Sequence, residues 1–227
     1  MKKFFNKRNG VFVGIFTVLG LIALQFPLTK LIGSDVRFTI FDLFGPLATG
    51  FIGLIPGLVS VALMQLGNFF IHGAEVVDAG VIVRFFPMLF AAWYFWKKNT
   101  ASVWVSVLAI VAFNLHPIGR SAWVYSMFWL IPIIMHFLRD KSLMARALGT
   151  TFTAHAVGGA LWVWVFGLSK EIWLGLIPVV MIERTLMALG IVTGFLAFNN
   201  LLAYLQHKRL IRLGFTVDQK YLWFRAK

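Results

Sequence analysis

Eight apolar runs constrain this chain more than any other feature. They lie at roughly 10–32, 38–55, 57–73, 79–96, 101–116, 121–138, 146–168 and 173–206. A helix needs about 20 such residues to cross a hydrocarbon core of about 30 Å. Backbone in lipid must satisfy its own hydrogen bonds, so runs of this kind are expected as helices. With 60% hydrophobic and only 13% charged residues, the chain has too little polar surface to cover a water-soluble core of its size. The expected fold is an all-α, polytopic transmembrane bundle in the cell membrane, with about eight apolar segments. It reads as one membrane domain over 1–206 and a basic, aromatic tail over 207–227 that rests at the cytoplasmic interface.

Charge orders these segments. Lys2, Lys3, Lys7 and Arg8 precede the first run; Lys97 and Lys98 follow the fourth; Arg139, Lys141 and Arg146 follow the sixth; Lys208, Arg209 and Arg212 follow the eighth. The other loops are near neutral or acidic, with Asp35 beside Arg37, Glu75 near Asp78, and Lys170 beside Glu171, except that the loop carrying Arg120 is mildly basic. Eight crossings put every strongly basic segment on one side, which the positive-inside rule makes cytoplasmic, with both termini inside. A six-span count that merges two pairs of runs keeps the same ends inside. The net charge of +13 thus reads as contact with the head groups of the lipid bilayer, and no nucleic acid partner is expected. Only Ile55-Pro56-Gly57 separates the second and third runs, and a helix break is expected at Pro56-Gly57. The tail alternates basic residues with Leu210, Ile211, Leu213, Phe215, Tyr221, Trp223 and Phe224, as an interfacial anchor or a partner-docking segment would.

Ionisable and strongly polar groups inside apolar runs are costly and so mark candidate sites. Asp42, Arg84, Asn114, His116, Arg120, His155, Glu183 and Arg184 qualify, with Gln65, Asn68, Asn199 and Asn200 as uncharged additions. Glu183 and Arg184 stand about ten residues into the last run, some 15 Å along a helix rising 1.5 Å per residue, in wholly apolar surroundings. They form a ligand-binding pair or a polar clamp between helices. His155 is followed by Gly158, Gly159 and, two turns on, Trp162; an imidazole beside an indole suits a flat heteroaromatic ligand, while a hydrogen bond to a neighbouring helix is the plainer reading. Asn114, His116 and Arg120 lie around Pro117-Ile118-Gly119 and would line an entry rim or an ordinary polar turn. Arg84 reads as a snorkelling side chain, or as a partner of Asp78 or Glu75.

The chain contains no cysteine, and its five histidines, at 72, 116, 136, 155 and 207, form no HExxH or i, i+4 pair, so no metal is expected. Walker A, GxGxxG and GxSxG motifs are missing from the sequence as well. No cofactor is expected, and an enzyme is the less favoured class.

The stretch Phe38-Thr39-Ile40-Phe41-Asp42-Leu43-Phe44-Gly45-Pro46, with Gly53, Pro56-Gly57 and His72-Gly73, resembles the substrate-binding S components of energy-coupling-factor vitamin transporters. Asp42 and Pro46 are one residue closer than in that family's pattern, and Ile55-Pro56-Gly57 replaces its Gly-Pro break. In place of the family's Ala-x-x-x-Ala on the first span stand Gly10 and Gly14, then Gly20 and Ala23. The resemblance implies a protein that binds a small nutrient for uptake and is energised by a separate ATPase module. On this reading Glu183, Arg184, His155, Trp162, Asn114 and His116 are the substrate-binding candidates. Two other classes stay open: a membrane-embedded enzyme acting on a lipid or prenyl substrate, with His155 or Glu183 as acid or base, and a non-catalytic subunit of a membrane complex.

Overall fold

A computed structural model describes residues 7–30, 37–71, 79–209 and 216–223. Lys2, Lys3, Asp35, His72, Glu75, Asp78, Leu210, Ile211, Arg212, Leu213, Phe215 and Phe224, all used above, lie outside the described residues. The chain is predominantly helical. Helix α1 is Lys7–Leu24, and a short antiparallel pair follows it, β1 (Pro27–Lys30) with β2 (Arg37–Thr39). This pair corrects the purely helical expectation. Two short strands of mixed polarity exchange backbone bonds where the chain leaves α1. Then come α2 (Phe41–Phe44), α3 (Leu47–Ile52), α4 (Leu54–Ile71), α5 (Ala79–Phe95) and α6 (Ala101–Leu115). The run over 121–138 is broken: α7 (Pro117–Ser121), α8 (Trp123–Ser126), a 3-10 turn at Met127–Trp129 and α9 (Leu130–Leu138). Two long helices end the bundle, α10 (Leu143–Phe166) and α11 (Lys170–His207). Helices α4 and α11 are long and apolar enough to cross a membrane.

The expected break at Pro56-Gly57 falls at Gly53 instead. Its φ of 92° and ψ of 170° belong to a region open to glycine alone. Pro56 is the third residue of α4, where its missing N–H leaves no intrahelical bond unmade. Helices α3 and α4 therefore form a tight hairpin hinged one helical turn before the proline. Thr49 on α3 ties it to the bundle, its hydroxyl donating to the Ala92 carbonyl at 2.7 Å.

Helix α5 packs along α10, and Gly149 makes that approach possible: a Cβ there would stand 2.3 Å from the Tyr94 ring. Tyr94 is held in place, donating to the Pro132 carbonyl at 2.7 Å under the Arg139 guanidinium. Small residues let helix backbones approach, and the hydroxyl bridges to a third element. Among the described residues most buried apolar side chains fall into two clusters, each rich in aromatic rings. One gathers Phe16, Phe44, Phe51 and Phe195, with Phe198 packed against it; the other gathers Phe113, Tyr125, Trp129, Phe152 and Trp173. Phe51 stacks on Phe195 at 5.1 Å, and Phe113 meets both Trp129 and Trp173 edge-on at 5.1 Å. Outside these clusters, α1 turns Val11, Ile15, Val18 and Ile22 outward, and α6 does the same with Trp104, Leu108, Val111 and Leu115.

The described part of the tail folds back onto the bundle. Asn199 receives a bond from the Asp218 N–H at 2.8 Å and donates to its carbonyl at 2.9 Å. Asn200 treats the next turn alike, accepting from Trp223 N–H at 2.7 Å and donating to the Tyr221 carbonyl at 3.0 Å. Lys220 Nζ donates to the carbonyls of Asp140 and Lys141. These two asparagines are polar residues on an apolar helix because they bind backbone.

Candidate functional site

Helix α11 joins the two aromatic clusters. Trp173, Leu176 and Val180 belong to one; Ala188, Ile191, Phe195 and Leu202 belong to the other. Glu183 and Arg184 stand between them. Met181, Ile182, Leu186 and Leu189 face outward, while Arg184, Met187 and Ala188 face in. The same division recurs on α10, where Thr150, Thr151 and Thr153 lie between Ala147 of one cluster and Ala156 of the other. Glu183, Arg184 and these threonines form a polar layer where α10 and α11 pass from one cluster to the other; the clusters still meet, since Phe152 lies among the threonines and Leu148 packs against both.

Within that layer the Arg184 side chain keeps 7% of its surface exposed and Glu183 15%. Their closest approach, Arg184 Nη2 to Glu183 Oε2, is 3.9 Å, too long for a strong charge-assisted hydrogen bond. The guanidinium lies over the Phe38 ring at 4.6 Å, so β2 covers it. Arg184 Nε is buried with no hydrogen-bond partner among the described residues. Asp42 opens α2 on the same side, with its Oδ2 accepting from Thr39 N–H at 2.7 Å, and it lies within electrostatic range of Arg184. Glu183 and Arg184 are thus a loose pair. Arg184 is the more deeply buried of the two, and their heads remain in range of each other.

His155 makes the plainer of its two expected contacts. Trp129 Nε1 donates to its Nδ1 at 3.0 Å, and its Nε2 meets Tyr125 Oη at 2.8 Å. Its ring neighbours are Tyr125, Phe128, Trp129 and Phe152. Trp162 lies elsewhere, stacking on Phe166 at 4.2 Å. The spacing of seven placed His155 and Trp162 on one helix face, but the broken segment of α8 and the 3-10 turn inserts its own aromatics beside His155. Helices α8 and α10, which carry Tyr125 and His155, both pack on α11, and both groups lie in the field of Arg184, at the edge of the polar layer beside the second cluster.

Asn114 and His116 do not. Asn114 Nδ2 donates to the Ile110 carbonyl at 2.8 Å and to Ser126 Oγ at 2.9 Å, tying α6 to α8. His116 caps α7, its Nδ1 accepting from Ile118 N–H, and packs edge-on to Trp164 at 4.9 Å. Both hold a turn together. Arg84 is exposed, in keeping with a snorkelling role; its expected partners lie outside the described residues. Gln65 donates to the Phe85 carbonyl at 3.1 Å, a link between α4 and α5.

The structure adds Tyr125, Trp129, Phe38 and Asp42 to Glu183, Arg184 and His155. Asp42 was legible as a carboxylate in an apolar run. Tyr125 and Trp129 carried no signal, since an aromatic residue in an apolar run reads as packing. Among the described residues no group of three or more His, Cys, Asp or Glu side chains is placed to hold a metal. Compared with known protein families, curated proteins and solved structures, the chain matches none.

Proposed function

We propose that this chain is a multi-pass cell-membrane protein that binds a small nutrient within the polar layer between its two aromatic clusters. In this reading the apolar runs form eight segments, with the second and sixth broken, and both termini are cytoplasmic. The reading extends the likeness to S components, with a separate ATPase module or an ion gradient supplying energy. The observation that carries it is Arg184: a cation more than nine-tenths buried, with a donor left unpaired among the described residues, held by Glu183 only at 3.9 Å and within electrostatic range of Asp42. A purely structural clamp would close that gap, because an unpaired buried donor costs about 1–3 kcal/mol. The outward Val, Ile, Leu and Trp side chains of α1, α6 and α11 support a lipid-covered surface. His155 has both ring nitrogens engaged, which argues for a wall residue over the acid or base of an enzyme.

Two measurements test this reading. Native mass spectrometry of the chain purified in mild detergent is expected to show a bound small molecule that is lost in Arg184→Gln; a ligand-free wild type in every preparation would overturn it. Reporter fusions after Arg8 and at Lys227 are expected to report a cytoplasmic location for both, and an external signal from either would overturn the topology.

A further inference from the structure

The hydrogen-bonding pattern of the polar layer specifies what kind of group it can hold. An indole N–H only donates, so Trp129 forces His155 Nδ1 to be the acceptor. A neutral imidazole then carries its proton on Nε2, and that proton is donated to Tyr125 Oη across 2.8 Å. A cationic imidazole would need a proton on Nδ1, where Trp129 already points one. Tyr125 thus accepts from His155, and its own O–H remains a donor with no acceptor assigned among the described residues. Arg184 Nε is a second such donor. Glu183 supplies acceptors whose one polar contact among the described residues is the 3.9 Å approach of Arg184. Helix α8, which carries Tyr125, packs on α11, which carries Glu183 and Arg184, and Tyr125 lies in the field of both charges, so these donors and acceptors lie in one region. The formal charge of Asp42, Glu183 and Arg184 together is −1 when all three are ionised, which opposes entry of a further anion.

We infer that this layer binds a planar group carrying a hydrogen-bond acceptor beside a donor, neutral or singly cationic, with Tyr125 and Arg184 donating to the acceptor and Glu183 receiving from the donor. The inference rests on the binding reading above and narrows it. An amino-substituted heterocycle or a lactam edge has this pattern, and a simple carboxylate does not. Tyr125 becomes a binding residue, and His155 with Trp129 are positioning residues that turn its hydroxyl proton away from the imidazole.

The test uses the full chain in lipid nanodiscs and four probes of matched size: 2-aminopyridine, pyridine, aniline and benzoate. Dissociation constants come from ligand-observed NMR titrations. 2-Aminopyridine is expected to bind tightest and benzoate weakest. Tyr125→Phe, which removes only the hydroxyl, is expected to weaken 2-aminopyridine about five-fold, the size of one neutral hydrogen bond, and to leave aniline unchanged. Glu183→Gln is expected to weaken aniline and 2-aminopyridine together. If benzoate binds tightest and loses affinity in Arg184→Gln, the ligand class is wrong while the site stands. If 2-aminopyridine is unaffected by Tyr125→Phe, the donor assignment is wrong. If no probe binds the folded wild type, or all bind alike in wild type and variants, the site reading itself fails. Should Arg184→Gln not fold, the Tyr125→Phe and Glu183→Gln arms decide the matter.

Discussion

Replacing both Asn199 and Asn200 by alanine is expected to release the tail and leave the bundle intact. The two side chains make four bonds to tail backbone, at 2.8, 2.9, 2.7 and 3.0 Å. At about 0.5–1.5 kcal/mol net for each, the pair contributes about 2–6 kcal/mol to docking. The tail is partly exposed, so the lower end applies. Since 1.4 kcal/mol is tenfold in an equilibrium, about 2 kcal/mol raises the undocked fraction about 30-fold. The Asp218 and Trp223 amides, protected by the asparagine oxygens, would then exchange with solvent faster by that factor. Hydrogen–deuterium exchange of the purified full chain, read on peptides covering 216–223 and on others from α10, measures both terms. Tail exchange accelerated less than about three-fold would refute the argument, since it would put the contribution of all four bonds below about 0.7 kcal/mol. Equal acceleration in α10 would refute it differently, by showing that the asparagines hold the bundle and not the tail. Limited trypsin digestion offers a second reading, because Lys220 is held by the Asp140 and Lys141 carbonyls and should become cleavable once the segment lifts.

Other substitutions probe other parts of the structure. Gly149→Ala places a methyl group against the pinned Tyr94 ring and is expected to cost about 1–3 kcal/mol, lowering the Tm, whereas Gly175→Ala, inside α11 with nothing within 4 Å of the new carbon, is expected to hold or raise the Tm, since alanine favours a helix interior by up to about 1 kcal/mol. Gly53→Ala puts a side chain at φ 92° and is expected to cost about 1–3 kcal/mol; an unchanged Tm would mean that the hinge is not strained. His155→Leu leaves Trp129 Nε1 without its acceptor and is expected to destabilise by about 1–3 kcal/mol, while Trp162→Leu is expected to leave any ligand affinity unchanged, and a loss there would restore the pairing that the fold argues against. Glu183→Gln keeps shape and is expected to weaken ligand binding by about 1–3 kcal/mol with little change in Tm; the reverse pattern would make the pair a clamp.

Local composition and periodicity went far toward the helices. The runs at 79–96, 101–116 and 146–168 became α5, α6 and α10 with ends shifted by a few residues, because an apolar stretch of that length has few ways to satisfy its backbone other than as a helix. Charged residues in apolar runs were also readable one at a time, since each is costly wherever it packs, and Glu183, Arg184, Asp42 and His155 all proved to lie in the polar layer. Pairing was a different matter. The i, i+7 spacing of His155 and Trp162 expresses a property of one isolated helix, whereas the imidazole chose among groups carried by a segment some 30 residues away in the chain. Hydrogen-bond partners are decided by which elements pack together, and the order of residues along one element does not encode that. The tail's return to Asn199 and Asn200 and the Arg184 donor left unpaired among the described residues arise in the same way, from the meeting of segments distant in sequence. Residue chemistry thus fixes what each position costs in an apolar setting, and only the packing of the helices decides which neighbour meets that cost.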